Sequence, residues 1–463
     1  MNAPRYPLFR KTQHIHFVGI GGSGMSGIAE VLLNLNFTVS GSDLARSPAT
    51  ERLQALGARV FAGHQAGNIS GADAVVVSSA VRDDNPEVVE ARQRKVPVIP
   101  RAEMLAELMR MKYGVAIAGS HGKTSTTAMV AQVLSGSGLD PTIVIGGRLN
   151  ILGSGAKLGG GELMVAEADE SDGSFLRLAP TIAVVTNIDA EHLNHYGSME
   201  ALLDAFAGFL NKVPFYGMGI VCLDDQQIQG LMPRLTRNLT TYGLAGQADL
   251  VATNIEVKEF SSHFEVISKG RWLGDVRLKV HGRHSVYNAL AAIGVGLEFD
   301  LKFADVVHHL SQFSGADRRF QLKGVVNDVM VVDDYGHHPT EIRATLWAAR
   351  EGWPKRRSVV VFQPHRFSRV QALMEEFSRA FYQADVLIVT EIYKAGEEPI
   401  PGITGEALAD AVKAHGHKET HHARDLAEAA GLVLRTARPG DLLLTLGAGD
   451  VWKVGEQYLR EAS

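Results

Sequence analysis

The residues best suited to chemistry sit in the middle of the chain. Gly119-Ser120-His121-Gly122-Lys123-Thr124, with Ser125 next, follows the apolar run Tyr113 to Ala118 and precedes a helix-forming stretch, Ser125 to Leu134. It reads as a shortened phosphate loop, because the longer G-x-x-x-x-G-K-[ST] pattern needs glycine at the position of Ile117. At such a turn, backbone N–H groups and the start of a helix attract phosphate oxygens. Lys123 is then expected to reach the outer phosphates, and the Thr124 hydroxyl to ligate Mg²⁺. Two acidic segments follow the next apolar strands. Glu167-Ala-Asp-Glu-Ser-Asp carries four carboxylates in six residues, and Asn187-Ile-Asp-Ala-Glu-His-Leu adds two more and His192. Mg²⁺ takes oxygen ligands and keeps waters, so one or two of these carboxylates suffice. His192 is a candidate ligand of a second ion.

A second group of polar segments lies towards the C-terminus. Asp333-Asp334-Tyr335-Gly336-His337-His338-Pro-Thr-Glu, Gln363-Pro-His-Arg366-Phe-Ser-Arg369, Glu391-Ile-Tyr and Gly447-Ala-Gly-Asp each follow an apolar strand. In a parallel sheet such ends converge on one rim. Arg366 and Arg369 are spaced to clamp a carboxylate or phosphate through paired N–H donors. Arg318 and Arg319, in Gly315-Ala-Asp-Arg-Arg-Phe, suit either a nucleotide contact or an interdomain salt bridge.

Near the N-terminus, Gly19, Gly21 and Gly24 fit G-x-G-x-x-G, with Gly22 and Ser23 inside the turn. The glycines let backbone N–H groups approach a diphosphate, and Asp43 ends the second strand where a ribose-binding carboxylate belongs. By itself this loop suits NAD as well as any other diphosphate, so a dehydrogenase is a rival reading.

The elements that must hold these residues alternate between strand and helix, which predicts parallel α/β sheets. Three successive domains are expected: 1–108 and 323–463, both Rossmann-like, and 109–322, a P-loop-type ATPase domain. From Leu250 to Val280 short alternating segments, such as His263-Phe-Glu-Val-Ile, predict an antiparallel edge. Val370 to Gln383 reads as one helix. The 463 residues are 45 % hydrophobic and 21 % charged, with net charge −5, an ordinary soluble composition that argues against nucleic acid as the main partner. No segment has signal-peptide form or the roughly 18 apolar residues of a membrane span, so a cytoplasmic location is expected. The single cysteine, Cys222, lies in an apolar run and reads as a buried hydrophobe.

A diphosphate loop, an ATP-type loop and a carboxylate-binding rim on successive domains suggest joining a nucleotide-linked acid to a small amino acid using ATP. Over essentially its whole length the chain resembles the Mur ligases. The segments that carry the resemblance are GIGGSGMSGIA from Gly19, GSHGKTST from Gly119, EADESDGSF from Glu167, NIDAEHLNHY from Asn187, GADRRF from Gly315, DDYGHHPTEI from Asp333 and FQPHRFSR from Phe362. The last two segments resemble the members that add L-alanine, not those adding D-glutamate, diaminopimelate or a dipeptide.

The resemblance implies ligation of L-alanine to UDP-N-acetylmuramate through an acyl phosphate, with ATP and Mg²⁺. It implies that Gly119 to Ser125, Asn288, Arg319 and Asp334 bind ATP, and that Thr124, Glu167 and His192 hold metal. It implies that the loop Gly19, Gly21, Gly22, Ser23 and Gly24, with Asp43, binds the UDP part. It further implies that Tyr335, His337, Arg366 and Arg369 surround the amino acid. Lys123, His337 and Arg319 would be the catalytic groups, with His337 a candidate base. Where the family commonly has a second asparagine before Asn288, this chain has Ser285. Two rivals share parts of this pattern: a ligase attaching a recovered tripeptide to the same UDP-sugar, and a nucleotide-binding regulator without catalysis. A monomer or homodimer is expected, with no membrane partner.

Overall fold

The computed structural model describes residues 12–78, 80–145 and 156–462. It contains three sheets. The first has five parallel strands: β1 (His14–Val18), β2 (Thr38–Asp43), β3 (Arg59–Ala62), β4 (Ala74–Val77) and β5 (Val98–Pro100), in the order β3-β2-β1-β4-β5. Helices α1 (Ser23–Asn34), α2 (Pro48–Ala55), α3 (Pro86–Gln93) and α4 (Arg101–Arg110) connect or follow these strands.

The second sheet is centred on β6 (Tyr113–Ala118), which leads through the phosphate loop into α5 (Lys123–Gly136). Its other strands are β7 (Thr142–Val144), β8 (Ala156–Lys157), β9 (Leu163–Glu167), β10 (Ile182–Val185), β11 (Met218–Cys222), β12 (Leu239–Gly243), β13 (Leu250–Lys258), β14 (Ser261–Ser268) and β15 (Arg271–Leu278). The order is β15-β14-β13-β12-β11-β10-β6-β9-β7-β8. The segments expected to form an antiparallel edge therefore extend this sheet. β6 lies between β10 and β9, and both pairings are parallel. The acidic segments that leave β9 and β10 therefore emerge on either side of the phosphate loop.

The third sheet holds β16 (Gln321–Val326), β17 (Val329–Asp334), β18 (Ser358–Phe362), β19 (Val386–Thr390), β20 (Thr420–Ala423) and β21 (Leu442–Leu446). Its order is β16-β17-β21-β18-β19-β20, with only β16 antiparallel to its neighbour. β18, β19 and β21 are buried at every residue, as runs such as VVVF and VLIVT require when helices cover both faces. One face packs on Phe362, Phe377 and Phe381; the other packs on Val433, Val454 and Tyr458.

By compactness the chain divides into two units. The first carries the first sheet, runs through Thr253, and takes in Glu265–Val276 and Tyr287–Phe313. The second comprises Asn254–Phe264, Arg277–Val286 and Ser314 onwards. One expected helix is two. The run from Val370 to Gln383 breaks at Leu373, whose φ of −119° and ψ of 24° leave the helical region between Phe367–Ala372 and Met374–Ser378. Cys222 is buried, and burial pushes its thiol up to about 12, so it is an inert apolar group. Among the described residues no helix is long and apolar enough to cross a membrane.

Candidate active site

In the first unit, α2 is capped by the Ser47 side chain and α3 by Asn85, whereas α1, α4 and α5 have no side-chain cap; of these three, α1 and α5 begin on glycine, at Gly22 and Gly122. The first-turn N–H groups of an uncapped helix remain available to an anion. The Gly19–Gly24 turn is braced from behind: Gly19 N–H donates to Ser42 O at 2.8 Å, and Gly22 N–H to Gly19 O at 3.2 Å. Gly21 N–H donates to Asp43 Oδ2 at 2.8 Å. Asp43 thus shapes the loop itself. The side chain of Ser23 lies outside the described residues.

The phosphate loop is tied to the segment after β10. Ser120 N–H donates to Asn187 O at 2.9 Å, and His121 N–H to Asn187 Oδ1 at 2.8 Å. His121 Nε2 lies 3.0 Å from Asp189 Oδ2. Gly122 adopts φ +80°, and a Cβ there would stand 2.8 Å from Asn288 Oδ1, so both conformation and space require glycine. Asn288 is buried and accepts from Thr126 Oγ1 at 3.0 Å, which places it against the loop from the far side. Ser285 is turned elsewhere and donates to His281 O at 2.7 Å. Ser125 lies half-buried in the first turn of α5.

Lys123 Nζ donates to Gly119 O at 2.6 Å, Ser120 O at 3.0 Å and Glu170 Oε1 at 2.9 Å. Burial alone pushes its ammonium down. The charge and hydrogen bond of Glu170, with Glu167 and Asp169 behind them, outweigh burial and hold it above its ordinary value. Glu170 is pushed up to about 7 by burial, against the pull of Lys123. Thr124 Oγ1 lies 3.2 Å and 3.1 Å from the two oxygens of Glu167. His192, at φ +57°, stands 3.8 Å from both Glu170 and Glu191. Ligand atoms of Glu170, Glu191 and His192 lie within 4.8 Å of one another. Glu170 Oε2 is buried without a hydrogen-bond partner. That orphaned oxygen and an oxygen-rich donor set suit Mg²⁺, which prefers carboxylates and hydroxyls.

In the second unit the two adjacent arginines have different jobs. Arg318 donates to Asp333 Oδ2 at 2.9 Å, Gly449 O at 2.9 Å and Gly447 O at 2.6 Å. It ties the end of β17 to the segment that leaves the adjacent strand β21. Arg319 lies over the Tyr335 ring at 5.2 Å and 3.8 Å from Glu341. Asp334 is buried, and its oxygens accept from Phe320 N–H at 2.7 Å and Gly336 N–H at 2.8 Å, so it braces both turns. Burial pushes its carboxyl up, against Arg319.

His337 Nδ1 lies 3.1 Å from Tyr335 O. Burial dominates and carries its imidazole down to about 3, Glu341 opposing and Arg369 and His365 adding to the fall. Its ring meets Tyr335 at 5.4 Å and His365 at 5.6 Å, and His365 stacks on Tyr393 at 5.6 Å. His365 is carried down to about 4 by burial and then by Arg369 and Arg366. Arg369 Nη1 lies 3.4 Å from His365 Nδ1. Arg366, at φ +71°, is exposed at the start of its helix, with its N–H on Tyr393 O at 2.9 Å. The rim therefore presents two arginines beside two neutral imidazoles. Sequence reasoning had not singled out Glu170, His365 or Tyr393, although all three lie in the quoted segments. Arg318 had been paired with a nucleotide or a salt bridge, not with Gly447 and Gly449.

Parallel α/β sheets, an uncapped phosphate loop flanked by carboxylates and a separate cationic rim define a multidomain nucleotide-using α/β protein. Comparison with known families makes the assignment specific. The models "Mur ligase family, catalytic domain", "Mur ligase middle domain" and "Mur ligase, glutamate ligase domain" match residues 14–113, 117–296 and 318–449. The chain belongs to the Mur ligase family. It is 58 % identical over 98 % of both chains to UDP-N-acetylmuramate–L-alanine ligase of Geobacter sp. (strain M21). It is 56 % identical to the protein of the same name in Geobacter sulfurreducens, over 98 % of both chains. The crystal structure of UDP-N-acetylmuramate-alanine ligase from Thermotoga maritima superposes with a TM-score of 0.82 at 31 % identity, covering 96 % of this chain and 98 % of that one. A murein peptide ligase from Psychrobacter arcticus shares the fold at 23 % identity and TM-score 0.72, covering 97 % of this chain and 98 % of that one.

Proposed function

We propose that the chain ligates L-alanine to UDP-N-acetylmuramate using ATP, in cytoplasmic synthesis of peptidoglycan precursors. The observation that carries this reading is 58 % identity across 98 % of both chains to a ligase of that name. In the reaction, the muramyl carboxylate attacks the γ-phosphate of ATP, giving an acyl phosphate and ADP. The amine of L-alanine then attacks the acyl carbon, and phosphate leaves.

Negative charge gathers first on the transferring phosphoryl group and then on the acyl oxygen. Lys123, already at the loop, stabilises that charge once phosphate oxygens displace Glu170. Gly119 to Ser125 and Asn288 form or brace the ATP site, to which the family resemblance adds Arg319 and Asp334 as expected ATP contacts, and the Gly19–Gly24 turn with Asp43 takes the UDP part. Mg²⁺ would be held by Thr124, Glu167 and His192, with Glu170 at hand, and supplies neutralisation of the phosphates when bound. Arg366 and Arg369 take the carboxylate of L-alanine, and Tyr335 bounds the pocket. His337 is neutral at physiological pH and so has a lone pair for the proton of the attacking amine. The protein acts as a monomer or homodimer, with no nucleic acid or membrane partner. Phosphate release measured with ATP, Mg²⁺, UDP-N-acetylmuramate and either L-alanine or the recovered tripeptide tests the reading. Turnover with the tripeptide and none with L-alanine would replace it by the recycling ligase.

A further inference from the structure

Arg101 opens α4 as its first residue, and its guanidinium lies against the first turn of α1. A Cβ on Gly24, the second residue of α1, would collide with Nη1 of Arg101 and stand 3.1 Å from Cζ. The guanidinium thus fills the space beside Gly24, and a side chain there would displace it. From there the guanidinium reaches Asp169, in the acidic segment after β9, with Nη2 donating to Oδ2 at 3.1 Å. Side-chain exposures are 27 % for Arg101 and 41 % for Asp169, so the pair is reachable by solvent. A pair so exposed adds little to folding stability. Asp169 keeps a second partner, the Ser171 N–H at 3.1 Å from Oδ1.

The position has a chemical meaning. The N–H groups of Gly19, Gly21 and Gly22 are spent within the fold, so the donors left beside the turn are the uncapped start of α1 and the planar fork of Arg101. Asp169 is the anion that holds the fork. An arginine fork matches phosphate oxygens in the same way as it matches a carboxylate. We propose that Arg101 is a ligand of the diphosphate of the UDP-substrate and moves to it from Asp169. This rests on the reading of the Gly19–Gly24 turn as the UDP site.

The test is calorimetric titration of the full chain, without ATP or Mg²⁺, using UDP and uridine as probes. Wild type is expected to bind UDP more tightly than uridine. Arg101→Ala is expected to weaken UDP about tenfold or more while leaving uridine unchanged, since a charge-assisted bond to phosphate is lost. Arg101→Lys should recover part of the loss. Asp169→Asn frees the fork and should leave UDP binding equal or tighter. Equal losses of UDP affinity in Arg101→Ala and Asp169→Asn would make the pair a mere strap and overturn the proposal. So would an Arg101→Ala variant within about twofold of wild type for UDP, or one that loses uridine to the same extent. A wild-type chain that binds UDP no better than uridine would remove the glycine-turn reading itself, and the role of Arg101 with it.

Discussion

The Lys123 ammonium lies 2.9 Å from Oε1 of Glu170, while the other oxygen of that carboxylate is buried without a hydrogen-bond partner. The lysine is thus held ready at the loop by an anion that phosphate can replace. Lys123→Ala is expected to cut phosphate release by about 10³-fold or more, with an unchanged far-UV circular dichroism spectrum. A variant within about tenfold of wild type would take Lys123 out of the mechanism.

Arg366 is exposed at the rim, and Arg369 is held beside His365. Arg366→Ala is therefore expected to raise the KM for L-alanine by about 10–100-fold with a smaller change in kcat, because the proposed contact to the amino-acid carboxylate would be lost. An unchanged KM for L-alanine with a raised KM for ATP would assign Arg366 to the nucleotide.

Acid should destabilise the second unit through its imidazoles. His337 falls to about 3 and His365 to about 4 on folding, from an ordinary value of 6.5, chiefly by burial. Between the ordinary and folded values the unfolded chain binds more protons, so stability is lost as pH falls below about 6.5 and continues to fall towards about 4. Each histidine contributes a slope of up to about 1.4 kcal/mol per pH unit in that window. Urea unfolding of wild type and His337→Gln at pH 7 and pH 5 checks this: the variant should lose less stability than wild type. Equal losses would show that His337 is not kept neutral by the fold.

Arg318 and Arg319 are neighbours in sequence but should behave differently. Arg318→Ala strands Asp333 and the carbonyls of Gly447 and Gly449, at a cost of about 2–4 kcal/mol, readable by urea unfolding with tryptophan fluorescence. Arg319→Ala, with a 3.8 Å ion pair and a ring contact, should cost about 1 kcal/mol or less and lower activity instead. A reversed ranking would exchange their roles.

The buried strands were the most legible part of the fold. VVVF, VLIVT and LLLTL are apolar without interruption, and the structure places them at the centre of the third sheet. Strands β3, β16 and β20 escaped notice because each mixes polar and apolar residues, as edge strands do. The break at Leu373 had no glycine or proline to announce it. Within the site, the phosphate loop and the acidic segments were legible because both depend on local spacing. The partnership of Lys123 with Glu170, and the reach of Arg101 to Asp169, join residues 47 and 68 positions apart and carry no local signature. The two neutral imidazoles at the rim depend on burial, which a pattern of residue types does not report.

The tether from Arg318 to Gly447 and Gly449 also sets what a shortened chain would retain. Tyr335 N–H is fixed on Arg318 O at 2.7 Å, so the carbonyls of Gly447 and Gly449 hold the turn after β17 in shape from the far end of the sequence. A protease cut just before Gly447 would leave every residue of the phosphate loop in place, yet the fragment would be without the anchor that holds Arg318, and through it the backbone of Tyr335.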